Sequence, residues 1–406
     1  MTHFFYKAIK ATGEVYEGEM DASDKAEVFQ SIASSGGSLI SAEATASRGR
    51  AFINKINSYF GKVKTQEKIL FARNLSAMTE AGLSISRALG VMTKQSKNQF
   101  FKKTITDLSE NIKKGKSLSD AMKERPDVFN NLFVSVVRAG EESGDLSKSL
   151  KEIANQTEKA HLLRKKITGA MIYPAVILSV MAIIGVIMLI YVVPTLTSTY
   201  KELKIDLPIT TQFIILTSDF LSNHTILFLF IVAVVIALLI TFFRSKFGHN
   251  FSDFIILKIP LIGSLARESN SAKTTRTLSS LLLSGVDVVS AINITKDVIN
   301  NHYYKEALTE AANSVQKGLT LSDVLSKYEN IYPVFVAEMA AVGEETGKLS
   351  EMLERVASYY EDEVDQRTKN MSTIIEPVLM VVIGVVVGFF AVSMILPMYS
   401  LVDAIG

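Results

Sequence analysis

Apolar residues occur in two regimes along this chain: recurring every three or four positions among polar residues, or running on with no charge at all. Three stretches are of the second kind, Ala170 to Val193, Ile226 to Phe243 and Pro377 to Leu396. As helices they rise about 36, 27 and 30 Å, enough to cross a bilayer, so three transmembrane helices are predicted. Pro174 and Pro377 stand near the starts of the first and third. They are expected to kink those helices rather than end them, because neighbouring polar groups satisfy the freed carbonyl.

The periodic regime fills residues 66–169. Ile69, Leu70, Leu75, Met78 and Leu83 make one apolar stripe ended by Gly82, and Phe100, Ile105, Leu108 and Ile112 make another closed by Gly115. Ser117-Leu118-Ser119-Asp120 matches a capping box at a helix start. Pro126 marks a break, after which Leu132, Val136 and Val137 open the helix leading to Gly140. The first 43 residues differ in kind. Phe4 to Ile9 and Glu14 to Met20 read as strands about a turn at Thr12-Gly13. Ser23 to Ala33 reads as a helix with Ala26, Phe29 and Ile32 on one side, broken by Gly36-Gly37. From Arg48 to Lys68 there are six basic residues and one acidic, interleaved with Phe52, Ile53, Ile56 and Phe60. Two readings fit that segment: a basic amphipathic stretch on anionic membrane lipid, or a solvated linker with one short helix.

The chain repeats itself at an offset of 203 residues: Gly140-Glu141-Glu142-Ser143-Gly144-Asp145-Leu146 returns as Gly343-Glu344-Glu345-Thr346-Gly347-Lys348-Leu349. Arg73 pairs with Arg276, Gly82 with Gly285, Asp120 with Asp323, Pro174 with Pro377 and Pro194 with Pro397. Eight of the fifteen positions from Gly140 to Ala154 are identical in the second copy. One register kept without a gap over that distance means a duplicated unit. Each copy runs from helices of soluble character into a long apolar run, and the stretches 146–173 and 349–376 contain no proline before Pro174 and Pro377, which follow them.

Composition narrows the class. Hydrophobic residues make up 48% and charged residues 21%, as expected of polar domains joined to a few membrane spans. A net charge of +2 is not that of a dedicated nucleic-acid binder. The absence of cysteine excludes disulfides, iron–sulfur clusters and thiolate zinc sites. The N-terminus lacks a basic region followed by an apolar run, so no cleaved signal peptide is expected. Lys and Arg cluster before the first run (Arg164, Lys165, Lys166), after the second (Arg244, Lys246) and before the third (Arg367, Lys369). The positive-inside rule then expects both repeats in the cytoplasm and the C-terminus outside. Two spans between the repeats give the same answer.

The expected organisation is a small α+β unit over 1–43, a basic linker over 44–65, and a first cytoplasmic helical bundle over 66–169. The first span (170–193), an external loop (194–225) and the second span (226–243) follow. A cytoplasmic connector (244–272), a second bundle (273–376), the third span (377–396) and an external tail (397–406) complete it.

Little in the residues points to bond-making. In Gly-Glu-Glu-(Ser/Thr)-Gly, the carboxylates Glu141, Glu142, Glu344 and Glu345 are candidates for binding a divalent cation or a basic patch on a partner. The same motif also reads as a helix–turn–helix corner, with Gly140, Gly144, Gly343 and Gly347 supplying positive φ. Gly343 to Leu349 is not a phosphate loop: only three residues separate its glycines, Leu349 replaces the magnesium-binding hydroxyl, and the first copy has Asp145 in place of the lysine. The five histidines form no ligand pattern, and no nucleophile elbow is present. A small membrane transporter or channel subunit is the alternative class, but its expected signature, ionisable residues within the spans, is missing. Gly384 and Gly388 form a GxxxG pair suited to helix packing, in a residue type that is also common in membrane helices generally.

The corner motif, the Tyr173-Pro174 and Glu376-Pro377 steps, Arg73-Asn74-Leu75-Ser76-Ala77-Met78 and Lys258-Ile259-Pro260-Leu261-Ile262-Gly263-Ser264-Leu265 together resemble the GspF/PilC family. These are the inner-membrane platform proteins of type II secretion and type IV pilus machines. The resemblance covers nearly the whole chain and is weakest over residues 1–60. It implies a mainly α fold with two homologous type II secretion F domains of six helices each, three transmembrane helices and the small N-terminal α+β unit. It implies no catalysis and no cofactor. The implied partners are a cytoplasmic hexameric secretion or pilus ATPase, pilins or pseudopilins, other inner-membrane assembly proteins and further copies of the chain. The place implied is the bacterial inner membrane, with the N-terminus cytoplasmic and the C-terminus periplasmic. Asp145 and Lys348 differ between the repeats, which weakens any cation site at Glu141 or Glu142.

Overall fold

The computed structural model describes residues 2–10, 15–44, 62–202, 207–260 and 262–405. The expected turn at Thr12-Gly13 and nearly all of the basic linker, including Phe52, Ile53, Ile56 and Phe60, lie outside the described residues.

The N-terminal unit is an antiparallel sheet in the order β2-β1-β3, made of β1 (Thr2–Lys10), β2 (Val15–Ala22) and β3 (Gly37–Ala44), with α1 (Lys25–Ser34) against it. Asp24 caps α1 by accepting the Glu27 N–H at 2.9 Å, and the Glu27 carboxylate accepts the Ser23 N–H at 2.6 Å, which fixes the helix start. The buried face of α1 is Val28 and Ile32, while Ala26 and Phe29 are exposed. This corrects the expected face. An i, i+4 pair suffices to cover so small a sheet, and Phe29 falls a quarter-turn beyond it.

Strand β3 was not anticipated. Ala8 pairs with Leu39 and Lys7 with Ser41, so Ile40 is bulged out of the ladder. Leu39 and Ala42 thereby reach the same side although three residues apart, and the period-two pattern that marks a strand is lost.

The helices of the first repeat are α2 (Thr65–Glu80), α3 (Ile85–Gln95), α4 (Gln99–Lys113), α5 (Leu118–Lys123), α6 (Asn131–Ser143) and α7 (Leu146–Ile187). After a π turn over Met188–Val192 come α8 (Val193–Glu202), α9 (Ile209–Asn223), α10 (Thr225–Arg244) and α11 (Lys246–Lys258). The second repeat supplies α12 (Ile262–Leu283), α13 (Val288–Val298), α14 (His302–Gln316), α15 (Leu321–Lys327), α16 (Val334–Thr346) and α17 (Leu349–Ile405). Five helices start 203 residues apart in the two copies: Ile85 and Val288, Gln99 and His302, Leu118 and Leu321, Asn131 and Val334, Leu146 and Leu349. A part-buried bond is duplicated too. Ser76 Oγ donates to Ser147 O at 2.8 Å, and Ser279 Oγ to Ser350 O at 2.8 Å.

Residues 1–130 and 144–151 form one compact unit, and 131–143 with 152–406 form the other. In the first, Phe71 is the centre of the helical core, its ring 5.6 Å from those of both Phe101 and Phe129. Leu70 is exposed and Phe71 and Ala72 take its place, so the buried stripe of α2 is turned from the expected one. Arg125 closes the edge, with its guanidinium 5.2 Å from the Phe100 ring and paired to Asp107 at 2.8 Å and Asp127 at 3.0 Å.

The second unit is built round α12, which is buried on nearly all sides and begins at Ile262, inside the stretch assigned to the connector. Its interior positions are largely small hydroxyl residues. Two of them bond their own preceding turn, Thr275 to Ser271 O at 2.8 Å and Thr277 to Lys273 O at 2.7 Å, and others bond neighbouring helices, as Ser279 does to Ser350 O. Helix α6 packs on α12 and α13 within this unit, where Asn131 Nδ2 donates to Asp297 at 3.1 Å.

Among the described residues, three helices are long and apolar enough to cross a membrane. The helical course of α7 and α17 runs through Pro174 and Pro377 without ending at either. The expected external loop is itself helical over α8 and α9.

Candidate functional site

The first corner joins α6 to α7, and the second is a tight reversal between α16 and α17. Only the second glycine of each motif adopts positive φ, 76° at Gly144 and 70° at Gly347. At Gly347 the reversal is a Schellman-type end, the Lys348 N–H bonding Gly343 O at 2.8 Å. The first glycine answers a different demand, which corrects the expectation that all four supply positive φ. Gly343 is buried inside α16, and a Cβ there would lie 2.7 Å from Leu349 Cα, so glycine lets α16 and α17 touch. Gly140 is buried and helical in the same way. Asp145 explains one difference between copies: its carboxylate accepts the Lys148 N–H at 3.2 Å and caps the start of α7.

The four carboxylates divide. Glu344 turns back into its own unit. It accepts the Leu321 N–H at 2.6 Å, the Ser322 N–H at 3.1 Å and the Ser322 hydroxyl at 2.6 Å, so it caps the N-terminus of α15 beside Thr320. A carboxylate at that end also complements the helix dipole. Glu345 and Glu142 are exposed, and Glu141 is half-buried. Among the described residues no group of three or more His, Asp or Glu is placed to hold a metal ion. The corners thus offer exposed single carboxylates suited to a basic surface, and no built cation cage.

From the corners, α7 and α17 continue as unbroken helices of 42 and 57 residues. Sequence reading did not identify the polar ladder that joins them to α12. Gln156 Nε2 donates to Thr277 Oγ1 at 3.0 Å in a buried setting, and Ser280 Oγ donates to Glu152 at 2.6 Å. Arg276 binds Glu361 with two parallel bonds of 2.8 and 2.9 Å, its side chain only 11% exposed. Lys166 pairs with Asp365 at 2.8 Å, and Arg367 with the buried Glu268 at 2.7 Å. Burial pushes the Glu268 carboxyl up from its ordinary value, against the opposing pull of the Arg367 guanidinium. Burial likewise lowers Lys273, whose Nζ donates to Val298 O at 2.7 Å. Paired Arg–carboxylate forks fix helix register as well as distance. The ladder could have been sought where charges recur at helical spacing just before an apolar run.

Gly384 and Gly388 face open space: among the described residues no other element comes within 4 Å of where a Cβ would sit.

The residues 71–194 and 274–397 match the family model described as type II secretion system (T2SS), protein F. The chain is similar to the type IV pilus assembly protein PilC of Pseudomonas aeruginosa, 34% identical over 349 residues, covering 85% of this chain and 92% of that protein. It is also similar to PilC of Myxococcus xanthus, 30% identical over 407 residues, covering 99% and 95% of the two chains. The type II secretion system protein F of Xanthomonas campestris pv. campestris is 30% identical over 409 residues, covering 100% of both.

Proposed function

The chain belongs to the type II secretion system protein F family, the GspF/PilC family, and from that premise we propose that it works without catalysis as the platform of a pilus or secretion machine. In this reading it sits in the bacterial inner membrane with both repeats in the cytoplasm. It receives motion from a hexameric ATPase and passes it to pilins or pseudopilins at the membrane, alongside other inner-membrane assembly proteins.

The observation that carries the reading is continuity. Each corner opens directly into one helix that runs on through the apolar segment, and the polar ladder ties both helices to α12. A helix held at several points along its length turns as a rod, so movement at one end reaches the other. The charge pattern supports the orientation, since basic residues gather at the ends of the spans nearest the repeats. The open face at Gly384 and Gly388 suits close approach by a second copy.

The exposed Glu142 and Glu345 are the partner-facing candidates, and Glu141 shares their motif. The test is E142Q combined with E345Q in the host cell, with filament or secretion output and co-purification of the ATPase measured together. The platform reading expects output and ATPase capture to fall while the protein stays folded in the membrane. Normal output and capture from that variant would remove the corners from the partner surface.

A further inference from the structure

Helix α9 is apolar on both faces. Thr211, Ile214, Ile215, Ser218 and Leu221 are buried, whereas Ile209, Phe213, Leu216 and Phe220, spaced by four, three and four residues, are exposed by 85, 66, 69 and 38%. A helix with apolar residues on opposite faces is covered on both, by protein or by lipid, and Asp219, its single ionisable residue, is half-buried. Its partners fix its depth: Ile214 and Ile215 cluster with Val193 and Met394, flanked by Leu189 and Phe390. Leu189 and Phe390 lie about 6 and 9 Å, along their helix axes, inside the ends of the first and third apolar runs.

The two buried hydroxyls of α9 meet two carbonyls that proline leaves without an N–H. In the π turn the Val193 N–H bonds Met188 O, so the next N–H in that register would serve Leu189 O, and residue 194 is proline. Ser218 Oγ donates to Leu189 O at 2.5 Å. In α17 an ordinary helical bond to Ser393 O would come from residue 397, also proline, and Thr211 Oγ1 donates to Ser393 O at 2.5 Å. Water would serve both carbonyls at an aqueous site. Within hydrocarbon only another protein group can.

We propose that α9 is embedded in the bilayer, with Ile209, Phe213, Leu216 and Phe220 against lipid acyl chains, and that Thr211 and Ser218 close the proline gaps of both repeats. Lipid is the occupant because the stripe continues the uncharged, exposed surface of the adjoining spans at Val192, Val392 and Ile395. Gln212 and Asp219, seven residues apart, flank the stripe on one side; Gln212 gives its side-chain N–H to Leu207 O at 2.8 Å within the same chain.

The chain has no cysteine, so single thiols can be placed in the full-length protein. F213C and L216C, each labelled with a bimane, are compared in nanodiscs with and without doxyl-labelled phosphatidylcholine, with L238C in α10 as the lipid-facing control and E345C as the aqueous one. The expected result is quenching equal to that of L238C, with reaction toward a membrane-impermeant maleimide about tenfold or more slower than at E345C. Labelling as fast as at E345C would place α9 in water and overturn the proposal. Neither quenching nor labelling would show another protein surface on the stripe, and would overturn it equally.

Discussion

The Glu344 carboxylate accepts the Ser322 hydroxyl at 2.6 Å, twenty-two residues back along the chain. It also takes the first two N–H groups of α15, so one side chain at the end of α16 fixes where the preceding helix begins. A corner carboxylate is therefore part of the scaffold.

Glu344→Ala should destabilise the second unit by about 1–3 kcal/mol, because three donors at a helix start lose a charged acceptor. Glu345→Ala, which removes an exposed side chain, should shift the melting point little. Thermal unfolding of both variants in one detergent checks the contrast, and equal shifts would contradict the capping role.

The two glycines of the second corner should fail differently. Gly347→Ala forces a side chain into positive φ and should cost about 1–2 kcal/mol. Gly343→Ala places a Cβ 2.7 Å from Leu349 Cα, where backbone must move, so its cost should be the larger. Urea titration of the pair gives the order.

Arg276→Ala leaves Glu361 with its main partner gone in a site where that carboxylate is 13% exposed. Loss of about 3 kcal/mol is expected, most of it from the charge left behind. Arg276→Ala with Glu361→Ala should recover much of the loss, and a double-mutant cycle measures the coupling.

Acid should weaken the first unit through Arg125. The hydrogen bond from Arg125 holds Asp127 below its ordinary value of 3.8. A lowered folded value means the stabilisation is complete above 3.8 and disappears as pH falls through the lowered one. Asp127→Asn should flatten that part of the pH–stability curve, read by tryptophan-free methods such as circular dichroism. An unchanged acid limb would rule the pair out as its source.

Ser218→Ala and Thr211→Val should each cost about 0.5–1.7 kcal/mol, the range for hydrogen bonds between membrane helices. Adding Pro194→Ala to Ser218→Ala should restore part of the loss, since the helix then supplies its own N–H. Thermal shift in detergent reads both, and no restoration would detach the hydroxyl from the proline.

Hydropathy, period and duplication were enough to determine the class of this protein: three apolar runs, two copies of one helical unit, and helix starts at Leu118 and Leu146 with partners 203 residues on. These are legible because caps, glycine ends and uncharged runs are local, one-dimensional signals. Tertiary structure decided the rest. Ile40 bulges out because β1 fixes the register on both sides of it. Glu344 caps α15 because α16 folds back along α15 and brings its own C-terminal end to the start of that helix. Polar α12 becomes the centre of its unit because its hydroxyls find partners on neighbouring helices, as Ser279 and Ser280 do, and Ser218 becomes a substitute donor because α9 lies across Pro194. Each depends on which groups meet across a fold, and a hydrogen bond between distant residues leaves no period in the sequence.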